Sequence, residues 1–164
     1  MQLADVRAAA AADAATISRL LADAIRGSYH EILGEIPVHR LVSHQCALPR
    51  IRAEIEIPGG APGWLGWLVA TGEDGTIVGA AAGGVPVPGE GELYALAVAE
   101  SSRRRGVGSA LLGATTERMR GFGAVAQRVS LPSDTDRDPS LPFYASQGFA
   151  PLNPTRLGRP LRLP

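Results

Sequence analysis

The chain contains no lysine: all sixteen basic residues among its 164 are arginine. That excludes Schiff-base and lysine-nucleophile chemistry, and any phosphate loop that closes on a lysine. A single cysteine, Cys46, excludes an intrachain disulfide and suits a reducing, cytoplasmic compartment. Net charge is zero, with sixteen acidic residues against sixteen basic. Nucleic-acid binders carry a basic surplus and stacking aromatics; aromatics make up only 5% here, so no nucleic-acid partner is expected. No apolar run reaches the roughly 18 residues of a membrane span. No basic segment followed by an apolar stretch marks a secretory signal. His30, His39 and His44 show no metal-ligand spacing with Cys46, so no metal is expected. Repeats and low-complexity linkers are missing too. The length suits one domain over residues 1–164, large enough to bury a core.

What is present alternates between strand and helix patterns. Residues 3–8 read as a first strand. Asp13 is an N-cap candidate for a helix to about Leu33, with Ile17, Leu20, Leu21, Ala24, Ile25, Tyr29, Ile32 and Leu33 in one stripe. Gly34 suits its C-terminal cap. Helix continues from Val38 to about Ile57, broken near Ala47 with a new turn at Pro49. A loop at 58–63 precedes strands at Trp67–Ala70 and Thr76–Val87, joined through Glu73-Asp74-Gly75. A turn at Pro88–Gly91 leads into the central strand, Glu92–Ala99. A helix from Val107 to about Arg120, a strand over Val125–Leu131 and a short helix over Ser140–Gln147 follow. The proline-rich tail, Ala150–Leu163, has room for at most a short edge strand.

The most informative segment is Arg103-Arg104-Arg105-Gly106-Val107-Gly108-Ser109, set between the central strand and the helix after it. A glycine-bearing turn at a helix N-terminus points backbone N–H groups one way, at the positive end of the helix dipole, and so favours a phosphate. Gly106 and Gly108 leave space for a ligand's oxygens, and the guanidinium groups add long-range attraction. A dinucleotide fingerprint requires Gly or Ala three positions after the second glycine; Leu111 stands there.

Arg103-x-x-Gly106-x-Gly108 resembles motif A of the GNAT superfamily of acyl-CoA N-acyltransferases. Phe143-Tyr144-x-x-x-Gly148-Phe149 is similar to its motif B, in the right order and spacing. The resemblance implies an α/β (α+β) GNAT fold: a mixed, mostly antiparallel central sheet, flanked by helices, whose fourth and fifth strands splay apart. It implies acetyl-CoA as co-substrate. Main-chain groups of Leu96, Ala97 and Val98 would pair with the pantetheine arm, and Arg103, Arg104, Arg105, Gly106, Val107, Gly108 and Ser109 would hold the pyrophosphate. A main-chain N–H near Val98 would polarise the thioester carbonyl.

The implied reaction is transfer of acetyl to a primary amine of a small molecule or peptide. Glu92 is the candidate base for the acceptor, and Tyr144 the candidate general acid for the departing thiolate. The first two helices and their connection, with Trp64 and Trp67, would frame the acceptor, which points to Tyr29, His30, Glu31, Glu35 and His39. The chain departs from the family pattern at Glu100, where proline is common, and at Ser102, where an aromatic is common. Arg137 and Ser140 replace the usual Asn and Ala ahead of the tyrosine, in an acidic, proline-rich stretch from Pro132 to Pro142. That leaves the usual Asn contact to pantetheine either missing or supplied by Ser133. The resemblance also allows a homodimer through an exposed terminal strand. A catalytically idle CoA-binding sensor of the same fold is the alternative.

Overall fold

The computed structural model describes residues 5–57 and 61–161. Seven strands form one sheet in the order β1-β2-β3-β4-β5-β7-β6. They are β1 (Asp5–Ala8), β2 (Trp64–Thr71), β3 (Ile77–Val87), β4 (Glu90–Val98), β5 (Ala126–Ser130), β6 (Ala150–Asn153) and β7 (Arg156–Pro160). Every pairing is antiparallel except β4 with β5. The helices are α1 (Ala14–Leu33), α2 (Glu35–Gln45), α3 (Leu48–Glu56), α4 (Val107–Gly121) and α5 (Leu141–Ser146).

The two-residue period of the strands divides the core into two layers. Trp67 and Val69 of β2, with Ala80 and Ala82 of β3, pack under the stripe Ala14, Ile17, Leu20 and Leu21 of α1 and under Ile51 of α3. Leu68, Ala70 and Ala81 face the opposite way, onto Val107 and Leu111 of α4. The small residues of β3 set how closely α4 approaches. A Cβ on Gly83 would come within 2.6 Å of the Met119 side chain and 2.7 Å of Thr115, and one on Gly79 within 2.7 Å of Leu111. Full burial of Leu111, Leu112 and Met119 contributes about 2 kcal/mol each.

Local expectations correct themselves in physically readable ways. Asp13 stands at the N-cap of α1, but its side chain makes no bond to that helix. The carboxylate turns back to accept from the Ala10 amide at 2.7 Å and from Arg7 at 2.7 Å, closing a 3-10 turn over Ala11–Asp13. The expected first strand begins, among the described residues, at Asp5, and residues 58–60 of the expected loop lie outside them. The central strand starts at Glu90, so only Pro88-Gly89 turns the chain. The largest difference lies in the tail. It holds two strands, and β7 is inserted between β5 and β6 rather than lying at the edge. The prolines fall where the ladder tolerates them: Pro151 on the outermost strand, Pro154 in the β6–β7 turn and Pro160 at the end of β7.

Candidate active site

The sheet parts in its middle. β4 and β5 pair from Glu90↔Ala126 to Leu93↔Val129 and no further. Beyond Leu93, β4 runs on to Val98 hydrogen-bonded only to β3. The register shifts at the point of parting, since Ala82↔Ala95 is followed by Gly83↔Leu93. Tyr94 is therefore the extra residue of a β-bulge, which bends β4 away from β5. A cleft of about 910 Å³ fills the opening.

The foot of the cleft is the N-terminus of α4. Gly106 caps it in the left-handed region at φ 81°, with no capping side chain. Arg104 is also left-handed, at φ 63°, the one non-glycine residue of that kind among the described residues. That conformation is strained for a side chain with a Cβ, and it folds the turn into a concave array of amides. The Val107, Gly108 and Ser109 amides meet no main-chain acceptor among the described residues. Gly108 is where α5 closes over this end: a Cβ there would stand 3.2 Å from the Phe143 ring. The Gln147 side chain, just past α5, donates to the Ser109 hydroxyl at 3.1 Å. Arg103 and Arg104 line the cleft; Arg105 does not, and is exposed. Donors, dipole and guanidinium groups thus converge on one place suited to a diphosphate.

Leu96 and Val98 of β4, half-buried, and Ala97, buried, line the cleft, as do Pro142 and Phe143 of α5. Tyr94 lies four residues before Val98, about 13 Å away along an extended strand, at the head of the cleft. Tyr144 comes from α5 and lines the same cavity while only 6% exposed. Its hydroxyl makes no hydrogen bond to any described residue. Burial first, and the nearby Asp138 carboxylate second, push its pKa above the ordinary phenol value. It is a neutral O–H donor with no partner among the described residues.

Glu92 is not on the cleft wall. It lies two residues short of the bulge, and its carboxylate accepts from Arg156 of β7 at 2.6 Å. Burial raises its pKa, and Arg156 opposes that shift. The expected acceptor frame is reassigned more extensively. Tyr29 lines the cleft, but His30, Glu31, Glu35 and His39 are exposed and do not; Trp67 is core, and Trp64 packs on Tyr94 with ring centroids 5.7 Å apart. The wall is built instead from Leu21, Ala24 and Ile25 of α1 and Leu41 and Gln45 of α2.

Sequence reasoning missed a buried hub in the acidic, proline-rich stretch. Asp138 is 3% exposed. Its carboxylate accepts from the Tyr29 hydroxyl at 2.8 Å, the Ser133 hydroxyl at 2.8 Å and the Ser140 amide at 2.9 Å, and also from the Ser133 amide and Ser140 hydroxyl. Ser133 is thereby turned inward to Asp138, away from the pantetheine contact expected of it. The hub ties α1 to the β5–α5 connection across the cleft. Its one local signal was Asp138 two residues before Ser140; its partner Tyr29 is 109 residues away.

A split sheet whose opening ends on a glycine-capped helix N-terminus is the scaffold that the motif resemblance implies. The profile of the Acetyltransferase (GNAT) family matches residues 38–149. The chain belongs to that family. No curated protein sequence matches it, but solved structures share its fold. The PaiA N-acetyltransferase of Thermoplasma acidophilum, in complex with coenzyme A, superposes with a TM-score of 0.81 at 16% identity, over 97% of this chain and 99% of its own. A GCN5-related N-acetyltransferase from Rhodopseudomonas palustris gives 0.78 at 19%, over 98% of each chain. Ard1 of Thermoplasma volcanium gives 0.68 at 20%, over 99% of this chain and 100% of its own. No helix among the described residues is long and apolar enough to cross a membrane, and no cluster among them has metal-ligand composition.

Proposed function

We propose that the chain is one domain that transfers acetyl from acetyl-CoA to a primary amine. The observation that carries this reading is the meeting, in one cleft, of the unpartnered α4 amides with the unpartnered Tyr144 hydroxyl. The amides of Gly106, Val107, Gly108 and Ser109, with Arg103 and Arg104, hold the diphosphate. Leu96, Ala97 and Val98 offer main-chain groups to the pantetheine, and the Val98 amide polarises the thioester carbonyl. Arg105 adds only long-range attraction from its exposed position.

Acetyl-CoA supplies the activated acyl group. The protein must present a neutral amine and protonate the leaving sulfur. Tyr144 donates to the sulfur, as a buried neutral phenol can at neutral pH. Glu92 takes the amine's proton through water, since its carboxylate is set back from the cleft, and its raised pKa makes it a better proton acceptor than an ordinary carboxylate.

Thiol release with a panel of amines tests the reading on the wild-type chain and on Tyr144→Phe. The substitution is expected to lower kcat about 100-fold and leave the acetyl-CoA dissociation constant within about twofold. Loss of affinity with kcat intact would remove the acid role. Acetyl-CoA binding with no thiol release from any amine would favour the idle sensor.

A further inference from the structure

Resting on that transferase reading, we infer that the acceptor is an apolar monoamine: a primary amine on an alkyl or arylalkyl body with no second charge. The lining of the cleft away from the α4 turn carries this inference. Leu21 and Ile25 of α1, Leu41 of α2 and the rings of Tyr29 and Tyr94 form part of it. The hydroxyl and amide side chains Ser28, Gln45, Ser102, Ser109, Ser130 and Ser140 in the cleft lining are all neutral, and among the described residues no Asp, Glu or His belongs to it. Among the described residues, the only charges in the lining are Arg103 and Arg104, of the turn before α4.

Two carboxylates close behind the cleft lining are already engaged. Asp138 accepts from Tyr29, Ser133 and Ser140 behind the wall, and Glu92 accepts from Arg156. Neither is free to pair with a second ammonium, which would lose its water with nothing to replace it. A carboxylate on the acceptor fares no better, because Arg103 and Arg104 lie at the foot. An alkyl or aryl body instead buries its surface against Leu21, Ile25 and Leu41, and the same desolvation favours the neutral, nucleophilic amine over its ammonium. The chemistry balances without any further reactant. One N–C bond forms and the acetyl C–S bond breaks; the amine nitrogen loses a proton and the sulfur gains one.

Thiol-release kinetics with acetyl-CoA and matched amines test this. Propylamine, butylamine, hexylamine and 2-phenylethylamine are compared with 1,6-diaminohexane, 6-aminohexanoate and a short peptide with a free α-amino group. Expected is a kcat/KM that rises about threefold per methylene from propylamine to hexylamine, and that for hexylamine exceeds the diamine, the amino acid and the peptide at least tenfold. Gln45→Glu, an isosteric change at an exposed lining position, and Leu41→Asp should each narrow the hexylamine-to-diamine ratio at least fivefold. A diamine, amino acid or peptide used as well as hexylamine, or ratios unmoved in both variants, would overturn the proposal. Calorimetric titration of hexylamine into the protein with CoA separates the two readings. Hexylamine binding without thiol release from any amine contradicts the transferase and keeps the apolar pocket. Thiol release with the diamine preferred keeps the transferase and contradicts the pocket.

Discussion

Tyr144 and Glu92 sit in opposite electrostatic situations. Burial keeps the Tyr144 phenol protonated, with no partner among the described residues. Glu92 has a partner, and Arg156 holds its carboxylate in the charged form against the burial that would neutralise it. In the proposed mechanism Glu92 must be ionised to act as the base, so activity is expected to fall as pH drops through its pKa. Removing Arg156 takes away the influence that lowers that pKa, and the acid limb of the kcat/KM profile must move to higher pH. Arg156→Met is expected to move it upward, with the plateau rate reduced less than tenfold. A limb that stays in place would assign the proton to another group. Glu92 could be singled out as a candidate from sequence because it stands six residues before Val98 on the central strand that precedes motif A. Arg156 could not, because it comes from a tail whose prolines hid a strand.

Elements place these residues, and two contacts between elements carry most of that work. The first is α4 on β3. Gly79 and Gly83 let the helix lie close enough to aim its first amides at the cleft. Gly83→Val would drive a branched side chain into Met119 and Thr115. It is expected to cost about 2 kcal/mol of unfolding free energy and to weaken acetyl-CoA binding through the displaced N-terminus; denaturant unfolding and calorimetry read the two. The second contact is the Asp138 hub. Tyr29→Phe removes one bond to a buried carboxylate and should cost about 2 kcal/mol. Asp138→Ala strands several donors at once and should cost more, with amide exchange in the second half of α1 accelerating first. Unchanged exchange there would mean that α1 is held by the apolar stripe alone. The strand–turn–helix of motif A could be read from sequence because each of its parts is consecutive. The hub could not, because its halves lie at opposite ends of the chain and nothing local marks Tyr29 as more than a member of the α1 stripe.

Across the whole molecule, the sheet is continuous in hydrogen bonding yet open as a surface. The β2–β3–β4 meander followed from turns and hydrophobic runs in the sequence, whereas the splayed β4–β5 pair was implied only by the resemblance. The placement of β7 beside β5 followed from neither, since proline content argued for an edge, while Leu157, fully buried among Leu93, Val129 and Phe149, anchors that strand inside. Pairing with β7 secures β5 on its far side, so β5 can part from β4 after Leu93 without losing its place in the sheet. The cleft is the product of that arrangement, and the account stands on what occupies it. A crystal structure of the chain with acetyl-CoA tests this most directly. The predicted result is diphosphate oxygens on the amides of residues 106–109, pantetheine along Leu96–Val98, and the sulfur within hydrogen-bond reach of the Tyr144 hydroxyl. Acetyl-CoA seated outside the β4–β5 opening, or a diphosphate that leaves the α4 amides untouched, would contradict it.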